Sequence, residues 1–105
     1  MAWITLGIAG LFEIFWAYFM KLSDGFTRPF YSALTLVGLV ASFLLLARAT
    51  KTLPLGTAYA IWTGIGALGS VVVGIIAFKE PVTAARIFFM VLLLAGIIGL
   101  KLTSA

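Results

Sequence analysis

Glu13 is the residue whose type and position point most directly to chemistry. It lies near the middle of the first apolar segment, about 16 Å from one end of a helix that rises 1.5 Å per residue. A carboxyl group at that depth in a membrane must be protonated, paired with a cation or exposed to a water-filled cavity. The sequence has no Lys or Arg at comparable depth in any apolar segment. We therefore expect a counter-ion that binds and leaves.

A proton and a cation can each neutralise such a carboxylate. Burial disfavours the charged form of Glu13, and a second Glu13 across a dimer would disfavour it again. If the two ligands compete for one carboxylate, their movements are coupled, and an inward proton gradient drives the cation outward. The alternative is a structural glutamate buried as its neutral acid.

The neighbours of Glu13 on its own helix face are small residues and aromatic ones, because positions three, four and seven residues away share that face. Gly10 allows either close helix packing or a place in the pocket. Trp16 either lines the site or anchors the helix at the interface. The full set on this face is Ala9, Gly10, Trp16, Ala17 and Met20.

The third apolar segment carries Tyr59 and Trp62 three residues apart, which places them on one helix face. Trp62 lies about 12 Å inside the span, so its indole N–H needs a partner, and we expect Glu13 of either subunit. A purely packing role for Tyr59 and Trp62 is the alternative. Both rings offer their faces to a cation. Gly64 and Gly66 follow as candidate pocket or hinge residues.

Ser42 lies in the second apolar segment at a depth similar to that of Trp62. Its hydroxyl has two expected partners. One is the carboxyl group of Glu13, and the other is the carbonyl of Gly38 in its own helix. The first makes Ser42 a binding residue and the second a packing residue.

The composition places these residues in a bilayer. The 105 residues are 64% hydrophobic and 10% charged, with a mean hydropathy of +1.25, which a soluble core of this size cannot bury. The absence of Cys and His excludes thiol chemistry, a Ser-His-Asp triad and the usual transition-metal ligands. We expect no enzyme, metal or cofactor. The basic residues flank apolar segments, which favours lipid headgroups over nucleic acid.

Charged and turn-forming residues divide the chain into four apolar segments, each near the ~20 residues that cross a bilayer as a helix. The sequence therefore predicts an all-α membrane protein with one transmembrane domain over residues 1–105. The fourth segment has no polar group in its uncharged part, so we expect it to serve dimerisation through the small residues Ala95, Gly96 and Gly99. The predicted helices span residues 2–21, 30–49, 55–78 and 84–103.

The loop charges give almost no preferred orientation. Lys21, Arg28, Lys79 and Arg86 lie on one side, against Arg48, Lys51, Lys101 and the terminal amine on the other. Because insertion follows the Lys/Arg bias of short loops, this four-to-four balance allows both orientations. Two oppositely inserted copies would recreate the inverted symmetry common in transporters. An antiparallel, dual-topology homodimer is the expected functional unit.

With these residues in place, the chain resembles the small multidrug resistance family over essentially its full length. The resemblance rests on four helices, the central Glu13, and the run Gly56-Thr-Ala-Tyr-Ala-Ile-Trp62 followed by Gly64-x-Gly66. The runs Trp16-Ala-x-x-Met-Lys21 and Ser23-x-Gly-Phe-Thr-Arg28, together with Ser42, make it more similar to the guanidinium exporters of that family.

The resemblance implies an antiparallel dual-topology homodimer with both Glu13 side chains in one pocket that opens to alternate sides. It assigns proton and substrate binding to Glu13, within a hydrogen-bonded network of Trp16, Ser42, Tyr59 and Trp62. It also implies a bacterial inner membrane.

Guanidinium suits the site independently, since it is a planar cation that meets a carboxylate in a fork. A multidrug exporter of quaternary ammonium cations, using the same Glu13 mechanism, is the alternative. A non-transporting assembly or proteolipid-type subunit is the alternative of another class.

Overall fold

The computed structural model describes residues 1–103. These residues form four helices that are long and apolar enough to cross a membrane, as the sequence predicts. Each end lies within one residue of its expected position. The helices are α1 (Ala2–Leu22), α2 (Pro29–Ala49), α3 (Leu55–Ala77) and α4 (Ala84–Thr103).

Short, locally determined turns separate the helices. Pro29 occupies the first turn of α2 and Pro54 precedes α3, where the missing N–H costs nothing. The loop after α1 passes through three consecutive residues of positive φ, Asp24 to Phe26. The buried Ser23 hydroxyl donates to the carbonyl of Met20 at 2.6 Å and accepts the N–H of Phe26 at 3.1 Å, which fixes this reversal.

Helix α1 is the centre of the packing and contacts both α2 and α3, whereas α4 packs on α3 within the described part of the chain. Glycines permit the close approach of α1. A Cβ on Gly10 would lie 2.6 Å from a side-chain carbon of Ile65 on α3, and one on Gly38 of α2 would lie 2.5 Å from the ring of Phe15. The helix that carries Glu13 is therefore held from two sides.

The distribution of polarity is that of a protein whose solvent is lipid. Large apolar side chains such as Leu44, Ile76 and Phe89 are exposed, whereas Ser42 and Thr35 are fully buried. In a bilayer the outer surface gains nothing by being polar, and buried hydroxyls need partners inside the protein. Both buried hydroxyls have such partners, since Thr35 donates to the carbonyl of Tyr31 and Ser42 to that of Ala9.

Helix α4 is the least covered element. None of its residues over Ala84–Thr103 is buried, and a Cβ on Gly96 or Gly99 would meet no atom within 4 Å. Ala95 is exposed as well. Within the described residues, the single chain therefore packs no neighbour against the small residues of α4.

Candidate functional site

Glu13 projects from α1 into the space between α1, α2 and α3, and is partly buried. The backbone of α3 comes closest at Gly66. A Cβ built there would lie 2.8 Å from the Cβ of Glu13 and 3.4 Å from its Oε2. Glycine at this position therefore makes room for the carboxyl group.

The hydrogen-bond donors of the site approach one carboxyl oxygen, Oε1 of Glu13. The indole N–H of Trp16, one turn along α1, donates to it. The hydroxyl of Ser42 lies 3.4 Å from the same oxygen. Within residues 1–103 no hydrogen-bond donor meets Oε2. One oxygen is held by the protein, and the other lies against Gly66 of α3.

Ser42 joins all three helices of the site through one hydroxyl group. Its oxygen accepts the indole N–H of Trp62 from α3 at 2.8 Å and lies 2.7 Å from the carbonyl of Ala9 on α1. A hydroxyl has one proton, and the shorter distance assigns that proton to Ala9. The proton can reach Glu13 only by rotation of the hydroxyl.

The structure corrects one sequence-based expectation about these partners and adds to another. Trp62 was expected to donate to Glu13, but its N–H bonds Ser42, which stands between them. Of the two partners expected for the Ser42 hydroxyl, Glu13 is found, with its Oε1 at 3.4 Å, and the carbonyl of Gly38 is not found within the described residues. The shorter contact of this hydroxyl, across the helix interface to the carbonyl of Ala9, was not expected. Both differences have one reason, since the relative heights of α1, α2 and α3 are set by packing.

Tyr59 contributes to the site through its ring. Its centroid lies 5.4 Å from that of Trp62 at an interplanar angle of 51°, and the residue is 53% exposed. No hydrogen bond joins it to Glu13 within the described residues. Phe43 contacts the same indole, with a centroid distance of 5.4 Å. Sequence reasoning missed Phe43, although its position beside Ser42 was a usable signal.

The glycines singled out in the sequence divide by what they touch. Gly66 faces Glu13, whereas a Cβ on Gly64 would lie 2.8 Å from Ile97 of α4. Gly10 meets α3, as the packing interpretation predicts. Helix α3 is continuous across Gly64 and Gly66, so in this structure both glycines serve close packing.

No positively charged side chain of the described part of the chain pairs with Glu13. The salt bridge found there joins Arg86, near the start of α4, to Glu80 in the loop before it, at 3.4 Å. No group of His, Cys, Asp and Glu side chains in residues 1–103 is arranged to hold a metal. The site thus combines a carboxyl group that has no basic side chain beside it, two indoles, a phenol ring and a hydroxyl.

Comparison with known proteins gives the family. The family model described as Small Multidrug Resistance protein matches residues 1–93. The chain belongs to the small multidrug resistance family. That assignment makes it a multi-pass membrane protein of a transporter family.

Relatives within the small multidrug resistance family cover nearly the whole chain. A protein named guanidinium exporter from Yersinia pseudotuberculosis is 57% identical over 99% of this chain and 100% of its own length. Guanidinium exporters from Salmonella typhimurium and Citrobacter freundii are 51% and 48% identical, each over 99% of both chains.

Proposed function

We propose that this protein exports guanidinium in exchange for protons, with Glu13 as the shared site of both ions. The arrangement around Glu13 carries the proposal. It is a carboxyl group at mid-membrane, with one oxygen held by Trp16 and the other without a donor from the described residues. Three relatives that match nearly end to end and are named guanidinium exporters support the choice of cation.

The chemistry of guanidinium matches these groups. The cation is planar and has N–H donors on every side, so it can reach both oxygens of a carboxylate while its face lies against an aromatic ring. The oxygen of the Ser42 hydroxyl can accept a hydrogen bond from an N–H group of guanidinium, while its own proton stays hydrogen-bonded to the carbonyl of Ala9. A proton on Oε2 removes the charge that holds the cation, and this exclusion couples the two flows.

Two alternative functions fit the residues around Glu13 and the family less well. A quaternary ammonium cation has no N–H to donate, so neither the hydroxyl oxygen of Ser42 nor the carboxylate could accept a hydrogen bond from it, and charge and ring faces alone would bind it. Export of such cations through Glu13 remains the second candidate function. Membership of a transporter family argues against a passive assembly or proteolipid subunit.

We further propose that the working unit is an antiparallel homodimer in a bacterial inner membrane. The balanced loop charges favour insertion in both orientations, and α4 leaves Ala95, Gly96 and Gly99 open. Three helices of one chain surround Glu13, which they bury only in part, and a second copy would complete the enclosure. The relatives' bacterial sources support the location.

Transport by proteoliposomes tests the ion exchange. Vesicles with the intact protein should accumulate guanidinium when a pH gradient is the sole driving force, and Glu13→Gln should abolish this uptake because an amide neither titrates nor carries charge. Glu13→Asp should retain part of it. The Gln variant must keep the helical circular dichroism of the parent. Undiminished pH-driven uptake by that variant would disprove the proposal.

Cysteine labelling tests the orientation. Ser23 is fully buried and would hide a cysteine, whereas Val82, in the loop between α3 and α4, is 58% exposed. In this cysteine-free chain, Val82→Cys should react with an impermeant maleimide from both sides of the membrane in comparable amounts. Added loop lysines that bias insertion should make the labelling one-sided and lower transport. One-sided labelling of the active, unbiased protein would exclude the antiparallel dimer.

A further inference from the structure

An apolar groove of about 360 Å³ runs between α1, α3 and α4, away from Glu13. Its walls include Gly7 of α1, Ile61 and Ile65 of α3, and Ile98 of α4. Gly7 leaves the floor open, since a Cβ there would meet nothing within 4 Å. The groove is apolar and large enough to bind a hydrocarbon chain.

The outer end of the groove carries a charge. Trp3 and Lys101 both line it, and the ammonium group of Lys101 lies 5.4 Å from the centroid of the Trp3 ring. No carboxylate among residues 1–103 forms an ion pair with Lys101. An ammonium group over an indole keeps its N–H donors for another acceptor. A tryptophan and a lysine near a helix end also mark the depth of the headgroups.

The side chains at this end of the molecule attract anions. Arg48, Lys51 and Lys101 belong to it, whereas Asp24 and Glu80 lie in the loops on the opposite side and Glu13 is at mid-membrane. These are all the acidic side chains of the sequence. Lys101 is the basic side chain that lines the groove, and no acidic side chain of the sequence lies on this side of the membrane.

We propose that this groove binds an anionic phospholipid, with an acyl chain between α1, α3 and α4 and the phosphate on Lys101. A bilayer fills any apolar groove at this depth with hydrocarbon, so selectivity must come from the headgroup, and an unpaired ammonium favours net negative charge. The site is independent of the proposed guanidinium exchange, since it shares none of the residues around Glu13.

The position of Lys101 on α4 favours lipid over a second copy at the charged end of the groove. Lys101 follows Gly99 by two residues, which corresponds to about 200° around a helix of 3.6 residues per turn. Lys101 therefore faces away from Gly99, whereas Ile98 and Leu102 of the groove lining lie on the same side of the helix as Ala95. A partner packed on Ala95 and Gly99 would leave Lys101 facing lipid.

Quenching of tryptophan fluorescence by brominated lipid tests the proposal. The protein in mixed micelles is titrated with phosphatidylglycerol or phosphatidylcholine brominated on the acyl chains, and the Trp3 signal is taken as the difference from Trp3→Phe. Phosphatidylglycerol should quench this signal at about tenfold lower concentration. Lys101→Gln should remove the preference, whereas Lys51→Gln, with the same charge change on the same side, should keep most of it.

A second pair of variants tests the groove itself. Gly7→Leu places a side chain in the groove and should abolish quenching by both lipids. Gly56→Leu, at another glycine with open space around it, should leave the quenching unchanged. Circular dichroism checks that each variant folds. Equal losses from Lys51→Gln and Lys101→Gln would reduce the effect to general surface charge and overturn the proposal. Dissociation of the dimer by Gly7→Leu would also overturn it, by showing that a second copy fills the groove.

Discussion

Removal of the Ser42 hydroxyl is the most informative single change, because that group connects α1, α2 and α3. In Ser42→Ala, the indole N–H of Trp62 loses its acceptor at 2.8 Å at a position that is 4% exposed. The carbonyl of Ala9 loses less, since it also accepts from its own helix. An unpaired buried donor costs about 1–3 kcal/mol, which corresponds to roughly five- to 150-fold in an equilibrium constant.

The loss should appear in both stability and selectivity. Unfolding by denaturant in micelles, followed by tryptophan fluorescence, should show Ser42→Ala destabilised within that range. Thr35→Val is the matched control. Thr35 is equally buried on the same helix, but its hydroxyl donates to the carbonyl of Tyr31 in α2, so its removal orphans no other side chain. Thr35→Val should lose less than half as much free energy of unfolding as Ser42→Ala.

Transport and a double variant complete the test. Ser42→Ala should lower guanidinium uptake about tenfold or more while tetramethylammonium uptake falls less, because the latter cation has no N–H groups to be satisfied. In a Trp62→Phe background no indole is left to orphan, so the further cost of Ser42→Ala should shrink by about 1 kcal/mol or more. Additive losses, or an unchanged ratio between the two cations, would refute the role assigned to Ser42.

Two further changes address the space around Glu13 and the outer face of α4. Gly66→Ala puts a Cβ 2.8 Å from that of Glu13 and should lower pH-driven guanidinium uptake at least tenfold. Gly56→Ala, at a glycine with open space around it, should leave the uptake unchanged. Similar uptake by the two variants would show that α3 can move aside to accept the added methyl group. Gly99→Leu should leave the helical content intact and reduce the crosslinked dimer, and full crosslinking would place the dimer contact elsewhere.

The sequence by itself determined the class of the protein and the bounds of its helices. Hydropathy and segment length leave a bilayer-spanning helix as the one way to satisfy every backbone group, and the prolines of the loops mark where helices begin. The sequence also singles out Glu13 as the candidate binding residue, because an acid at mid-membrane in a chain without a cation at that depth is expected to need a ligand. A recognisable pattern of residues around it led to the family, which the comparison confirmed.

Only the tertiary structure decided which of the site residues touch. The sequence places Ser42 and Trp62 at similar depths, but it does not say that the indole of Trp62 would reach Ser42 and stop short of Glu13, or that Ser42 would donate to Ala9. Those contacts depend on how far α2 and α3 slide along α1, and that offset is set by side chains seated against glycines, such as Ile65 at Gly10. Periodicity fixes the face of a residue on its own helix, but the register between helices comes from packing over the whole interface.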